Sequence, residues 1–343
     1  MRALKKLEPR LGLTLTDAPM PACPPDHVVI AVTLAGLCGT DRHIFEWDGW
    51  AAARVPLGIT VGHEFMGVVH QVGTGVTRVR PGQRVSAEGH IGCGVCQPCR
   101  TGSAHICERV DILGIDVDGC FADFVAVPED NVWPLPDSID DRTAAVLDPF
   151  GNAVHTVTAA EVGGRSVMVT GCGVIGLMAI GVARAVGAGT IVAVDVDEAR
   201  LAQAKAMGAD HLLQANDPQW PAEARSFTRG QGPEVFLEMS GSASAIRGGF
   251  DALRNGGTAA LLGLPPEPVA LDLPNQIIFK GATVLGINGR VMFDTWYRAE
   301  ELLISGRVDI APLVTHELPM EEVTTAFGLI ERGEALKVLL RIA

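Results

Sequence analysis

The stretch Ser166-Val-Met-Val-Thr170 runs straight into Gly171-Cys-Gly173-Val-Ile-Gly176, and an apolar helical run follows over residues 177–186. A short apolar strand, three glycines at this spacing and a helix together describe the first turn of a dinucleotide-binding βαβ unit. Gly171 permits the tight turn. Gly173 lets the backbone approach a pyrophosphate, which the helix N-terminus attracts, and Gly176 lets the helix pack close to the strand. Asp195 ends the next strand, 19 positions beyond Gly176. There it can accept hydrogen bonds from both ribose hydroxyls, while its charge repels a 2′-phosphate, so the expected ligand is NAD rather than NADP. Arg200 is near enough to stack against adenine or to blur that preference. A purely structural glycine turn is the plain alternative, and the strand, helix and acidic residue in register argue against it.

The alternation continues. Apolar runs at 234–239, 258–262 and 284–287, with a helical segment at 243–254, extend the unit into a doubly wound parallel sheet. Residues before about 140 read differently. Short apolar runs such as Val28-Val-Ile-Ala-Val-Thr33, the glycine-broken run 62–73 and the turn Pro81-Gly82 imply a β-rich domain. With 343 residues, two domains are expected: 1–150, to which 290–343 returns, and the dinucleotide domain 151–289. A net charge of -13 argues against a nucleic-acid partner, which requires a basic face. The start, Met1-Arg-Ala-Leu-Lys-Lys, has no signal-peptide run, and no apolar stretch reaches the roughly 18 residues of a membrane span. A cytoplasmic protein is the expectation.

Cys93, Cys96, Cys99 and Cys107 place four of the chain's eight cysteines within 15 residues. The two-residue spacings suit a knuckle whose sulfurs converge on one tetrahedral zinc with no open position. An iron–sulfur cluster is the rival, and a disulfide pair is the plain alternative. Zinc is favoured, because the gap to Cys107 is long and no proline follows it.

Cys38 and His63, with Glu64 adjacent, are possible ligands of a second metal. Taken singly, a cysteine or a histidine is more often a packing residue. A catalytic zinc takes three protein ligands and keeps one place open. It would lower the pKa of an alcohol oxygen there. Thr40 and His43 lie in the same short loop and supply a hydroxyl and an imidazole suited to a proton relay. Cys23, Cys120, Cys172, His70, His105 and His155 are read as packing or structural residues.

Gly62-His63-Glu64-x-x-Gly67-x5-Gly73-x-x-Val76, the cysteine lobe and the later glycine fingerprint resemble, in order and spacing, the zinc-dependent medium-chain alcohol dehydrogenases. The resemblance covers the whole chain. It implies an α/β protein with a GroES-like β-rich catalytic domain and a Rossmann NAD-binding domain. Local strings are most similar to the bacterial threonine dehydrogenases of that family: Cys38-Gly-Thr-Asp-x-His43, Trp47-Asp48, Glu88-Gly-His90-Ile, Asp148-Pro-Phe-Gly-Asn-Ala-Val-His155, Glu238-Met-Ser-Gly241 and Phe293-Asp-Thr-Trp-Tyr297. Sorbitol and butanediol dehydrogenases share part of them. By resemblance, zinc sits on Cys38, His63 and Glu64, a second zinc sits on the four lobe cysteines, and protons pass through Thr40 and His43. Asp148 assists beside the metal, with its standing as a ligand left open. The family's cofactor contacts carry over to Ile175, Asp195, Arg200, Leu262, Gly263, Leu264, Ile287 and Asn288. A tyrosine is familiar in the family where Asn288 stands here.

The implied reaction oxidises the threonine β-hydroxyl to 2-amino-3-oxobutanoate, with hydride passing to NAD. Glu88 and His90 are candidates to meet the amino-acid end of the substrate, with a surface turn as the equal alternative. A polyol or 2,3-butanediol dehydrogenase is the rival enzyme, and a silent NADH-binding protein the rival outside enzymes. The partners implied are a small-molecule substrate and further copies of the chain in a homotetramer.

Overall fold

The computed structural model describes residues 1–343. The chain divides into two compact units, Met1–Asp148 with Ile310–Ala343, and Pro149–Asp309. The first unit is β-rich. Its main sheet runs in the order Val314–Pro319, Lys337–Arg341, His27–Gly36, Glu64–Val72, Arg84–Ala87 and Val132–Pro134, and Phe124–Pro128 also pairs with His27–Gly36. The central strand His27–Gly36 is rich in β-branched residues. Its Val28, Ile30 and Val32 join Phe65, Val69, Val85, Val125, Val338 and Leu340 in one core. Each of these apolar side chains contributes about 1.5–3 kcal/mol through burial, which is what holds the sheet against chain entropy.

The pairing of His27–Gly36 with Glu64–Val72 is antiparallel, with register shifts at Val29/Ile30 and Val32/Leu34. Gly67 faces Val32 in this pair. A Cβ on Gly67 would lie 2.2 Å from the Ala31 carbonyl oxygen and 2.8 Å from Ile30 Cγ2. The strands close to this distance only because the position is glycine. The pair then ends with Gly36 opposite Glu64.

The second unit is a six-stranded parallel sheet in the order His211–Gln214, Ile191–Asp195, Val167–Thr170, Val235–Glu238, Thr258–Leu261 and Thr283–Gly286. The order reverses between Val167–Thr170 and Val235–Glu238, the position at which doubly wound sheets bind ligands. Helix Ala243–Ala252 reaches its neighbours through two glycines. A Cβ would lie 2.0 Å from the Phe236 ring at Gly249 and 2.3 Å from the Trp220 ring at Gly248. The edge strand His211–Gln214 and the helices Glu198–Ala206 and Trp220–Ser226 were not among the elements expected from sequence. The strand is short and only Leu213 in it is fully buried, so it shows no clear alternation.

Residues 290–309 group with the second unit, whereas the sequence reading had them returning to the first. Local contacts account for this. Buried Arg290 lies where a Cβ on Gly151 would sit, 2.5 Å from its Cδ, and it donates to Asn152 Oδ1 at 3.3 Å. Val308 approaches the Cβ position of Gly181 to 3.4 Å.

Gly67→Ala is expected to lower the chemical-denaturation midpoint, at a cost of about 1–3 kcal/mol for overpacking against a backbone that cannot retreat. An unchanged midpoint would show that the strand pair can open to admit a methyl group.

Candidate metal centre and dinucleotide site

Strand register builds the first centre. With Gly36 opposite Glu64, the chain brings Leu37-Cys38 and His63-Glu64 to one place. The ligand atoms of Cys38, His63 and Glu64 lie within 4.8 Å of one another, with His63 and Glu64 buried. Asp41, fully buried in the first turn of helix Gly39–Glu46, accepts the Cys38 backbone N–H at 2.9 Å. Its other oxygen faces His63 Nδ1 at 3.5 Å, and neither atom has another hydrogen-bond partner. With Nδ1 turned to a carboxylate, the other ring nitrogen is the one left for a metal. A thiolate, an imidazole and a carboxylate gathered in this way suit a divalent ion of the zinc type.

Lys337 ion-pairs with Glu64 Oε2 across the intervening strand His27–Gly36, and both side chains are almost completely buried. The ammonium also donates to the Leu37 carbonyl at 2.7 Å. Asp148, at the start of helix Leu147–Ala159, is buried beside this group but lies outside the three-ligand cluster. Its Oδ2 and the His63 Cβ each lie 3.6 Å from the Cβ position of Gly89.

Thr40 Oγ1 is 3.9 Å from Cys38 Sγ. His43, one turn along the same helix, holds Asp48 Oδ2 through Nδ1 at 2.6 Å. Trp47 ends that helix with a left-handed φ of 56°, which turns the chain so that Asp48 faces back toward His43. Asp48 also caps helix Gly49–Arg54 by accepting the Ala51 N–H at 3.0 Å. That bond, with His43 beside it, holds the Asp48 carboxyl below its ordinary range. Buried Glu88 accepts the His90 N–H at 2.9 Å and meets His90 Nδ1 at 3.0 Å. Asn131 donates to the carbonyls of both residues at 2.8 Å.

The cysteine lobe gathers Cys93, Cys96, Cys99 and Cys107 with all four sulfurs within 4.8 Å of one another. All eight cysteines are free, so the disulfide reading fails. Cys107 Sγ accepts the backbone N–H groups of Cys93 and Arg109 at 3.3 Å each. The N–H groups of Val95 and Cys96 draw the Cys93 thiol down to about 6. Desolvation and the adjoining Cys96 push Cys99 up to about 12. Four thiolates at this separation need a cation between them, and a closed four-sulfur set fits a structural zinc.

In the second unit each fingerprint glycine has its own geometric reason. Gly171 has φ of 86°, and a Cβ there would lie 2.7 Å from the Ser240 Cβ. Gly173 precedes helix Val174–Ala185 with nothing within 4 Å of its Cβ position, which leaves room for a ligand's phosphates. A Cβ on Gly176 would lie 1.9 Å from the Gly171 carbonyl oxygen. Asp195 accepts the Cys172 N–H at 2.6 Å and the Asp197 N–H at 2.9 Å, which ties the glycine turn to the next loop. Gly171, Gly173, Asp195 and Arg200 line a cavity of about 360 Å³ together with Asn216 and Ser242. An open cradle of this shape fits a dinucleotide.

Ile175 lies in the first turn of helix Val174–Ala185. Leu262 and Gly263 donate backbone N–H to the Glu238 carbonyl at 3.0 and 3.1 Å, Leu264 follows them, and Ile287 donates to Leu261 at 2.9 Å, with Asn288 next in the chain. These five residues follow the ends of their strands and are not part of the cavity wall.

Sequence reasoning missed Asp41, Asp48, Lys337 and Glu238 as site residues. Glu238 is fully buried and accepts Ser240 N–H at 2.9 Å, Gly241 N–H at 3.1 Å and the Thr170 hydroxyl at 3.4 Å. It thereby joins the crest loops that flank the glycine turn. The strings that carry Asp41, Asp48 and Glu238 were visible, but nothing local marked those carboxylates as organisers.

Residues 24–137 match the alcohol dehydrogenase GroES-like domain, and residues 174–305 match the zinc-binding dehydrogenase family. L-threonine 3-dehydrogenase of Bacillus subtilis is 44% identical over 99% of this chain and 98% of that protein. L-threonine 3-dehydrogenase of Idiomarina loihiensis is 42% identical over 99% of each. Among solved structures, alcohol dehydrogenase TADH from Thermus sp. ATN1 superposes with a TM-score of 0.90 at 31% identity, covering 100% of both chains. Galactitol-1-phosphate dehydrogenase from Escherichia coli gives 0.91 at 26% identity, over 99% of this chain and 100% of that one.

Proposed function

The chain belongs to the zinc-binding dehydrogenases with an alcohol dehydrogenase GroES-like domain, and from that membership we propose that it is an NAD-dependent L-threonine 3-dehydrogenase. It oxidises the threonine β-hydroxyl to 2-amino-3-oxobutanoate. The observation that carries this reading is the buried Cys38–His63–Glu64 group beside Thr40 and His43, in a chain related at full length to curated threonine dehydrogenases.

Cys38, His63 and Glu64 hold the catalytic zinc, and the four lobe cysteines hold a structural one. Zinc at the first site supplies Lewis acidity to an alcohol oxygen, and NAD in the glycine cradle supplies the hydride acceptor. This chain's own residues do the rest. Asp41 fixes the ring of His63. Thr40 and His43 stand three residues apart on one helix, hence on one face, and form a relay for the hydroxyl proton. Asp48 holds His43 Nδ1, so the other ring nitrogen receives the proton and the ionised carboxylate stabilises the resulting imidazolium. The His43 side chain is 55% exposed and can release that proton to water.

Asp148 assists near the metal from outside its ligand set. Asp195 selects NAD by repelling a 2′-phosphate, and Gly171, Gly173, Ile175, Gly176, Arg200, Leu262, Gly263, Leu264, Ile287 and Asn288 complete the cofactor site. Glu88 orients His90 to meet the amino-acid end of the substrate.

Thiols in this number suit a reducing compartment, which supports a cytoplasmic location. No helix is long and apolar enough to cross a membrane. A homotetramer is favoured by the edge strand Thr283–Gly286, whose Val284 is 41% exposed and whose outer edge is unpaired within the chain. Sedimentation at working concentration is expected to give a tetramer, and a monomer would remove that claim.

NADH formation should be strongest with L-threonine over D-threonine, L-serine, 2,3-butanediol and sorbitol, with about two zincs per chain. Preference for an uncharged diol would keep the fold and the metal but remove the substrate. NADH binding with no turnover of any of them would point to a silent binder. His43→Ala should lower kcat by roughly 10²–10⁴-fold while zinc content stays unchanged. A kcat within a few-fold of the parent would take His43 out of the proton path.

A further inference from the structure

The proposed roles leave one buried ionic group at the first centre without a task. Lys337 begins strand Lys337–Arg341, and its side chain is only 5% exposed. A buried ammonium is costly unless it is paired and hydrogen-bonded. Here it is bound in two directions, to Glu64 Oε2 and to the carbonyl of Leu37, the residue before Cys38. Gly36 shapes the same place, since a Cβ there would lie 2.4 Å from Glu64 Oε2 and 3.2 Å from Lys337 Cε. The ammonium therefore touches both chain segments that deliver metal ligands, and it occupies one oxygen of the only ligand that has two to offer.

The number of oxygens matters. Cys38, His63 and a one-oxygen Glu64 give three donors, and a tetrahedral ion then keeps one place open. If Glu64 used both oxygens, the protein would supply four donors, the count of a closed structural site. We propose that Lys337 is a positioning residue that holds Glu64 Oε2 away from the metal, so that Glu64 offers a single oxygen and one coordination place stays open for the alcohol. The inference rests on the reading of Cys38, His63 and Glu64 as a metal site. It gives the strand Lys337–Arg341 a part in the reaction although it supplies no ligand.

The test uses the whole chain loaded with cobalt(II) in place of zinc, with imidazole as the probe of an open place. Imidazole is neutral, so loss of the lysine charge does not itself weaken its binding. The cysteine lobe is the same in every variant and cancels in difference spectra. The wild-type visible spectrum is expected to shift on imidazole addition. Lys337→Met is expected to retain cobalt and lose that shift, and Lys337→Arg, which keeps a donor on Oε2, is expected to recover it.

A Lys337→Met chain that responds as the wild type does, or that no longer retains cobalt at this centre, overturns the proposal. Should Lys337→Met not fold, Glu64→Ala is compared with Glu64→Ala/Lys337→Met, from which both buried charges have gone. Removing Lys337 should then change nothing, because the carboxylate it restrains is absent. A further change in imidazole binding in that pair overturns the proposal. A wild-type chain that takes up cobalt only at the cysteine lobe removes the metal reading itself, and the proposal with it.

Discussion

Buried negative charge is the constraint around which the first unit is arranged. Asp41, Glu64 and Asp148 are all buried here: Glu64 in one group with the Cys38 thiol and the His63 ring, Asp41 facing His63 Nδ1, and Asp148 close enough to Glu64 to repel its charge. Taking carboxylates out of water costs several kcal/mol each unless cations and hydrogen bonds meet them. One permanent cation, Lys337, is built into the group, and its ammonium is fixed by Glu64 and a backbone carbonyl. The remaining demand for positive charge is what a divalent ion satisfies. The glycines at 36 and 67 serve the same end, because the strands must meet closely for these side chains to converge.

The second unit solves a similar problem without a cation. Asp195 and Glu238 are buried carboxylates at the ends of the two parallel strands that flank Val167–Thr170, and backbone N–H groups satisfy them. The two acids thereby set the loops on either side of Gly171. The cradle is rigid because its loops share acceptors, and Gly173 is left facing open space. Preorganisation of this kind lets a ligand bind without first ordering its site.

Much of this was legible in the sequence because the signals are local. Two-residue cysteine spacing, three glycines between strand and helix, and an acid at the end of the next strand each specify geometry within a few residues. Where the reading fell short, the controlling contact runs through space. Lys337 lies 300 residues from Leu37, and no spacing rule connects them. Asp41 and Asp48 stood inside recognised strings, yet their roles depend on which way a helix cap and a left-handed Trp47 turn the chain. The segment 290–309 looked like part of a returning tail, but Arg290 against Gly151 and Val308 near Gly181 tie it to the second unit.

The two metal-type sites differ in when they can exist along a growing chain. The four lobe cysteines fall within 15 residues and need only their own turn and short helices to converge. The Cys38 group receives its buried cation from a strand that begins at Lys337, by which point the whole second unit has been made. Domains form in order as they emerge from synthesis. The lobe sulfurs can therefore converge while the chain is still short, whereas the ion pair that neutralises Glu64 waits until the parallel sheet has been translated. Order of synthesis thus separates a site complete within one short stretch from one whose charge balance depends on the far end of the chain.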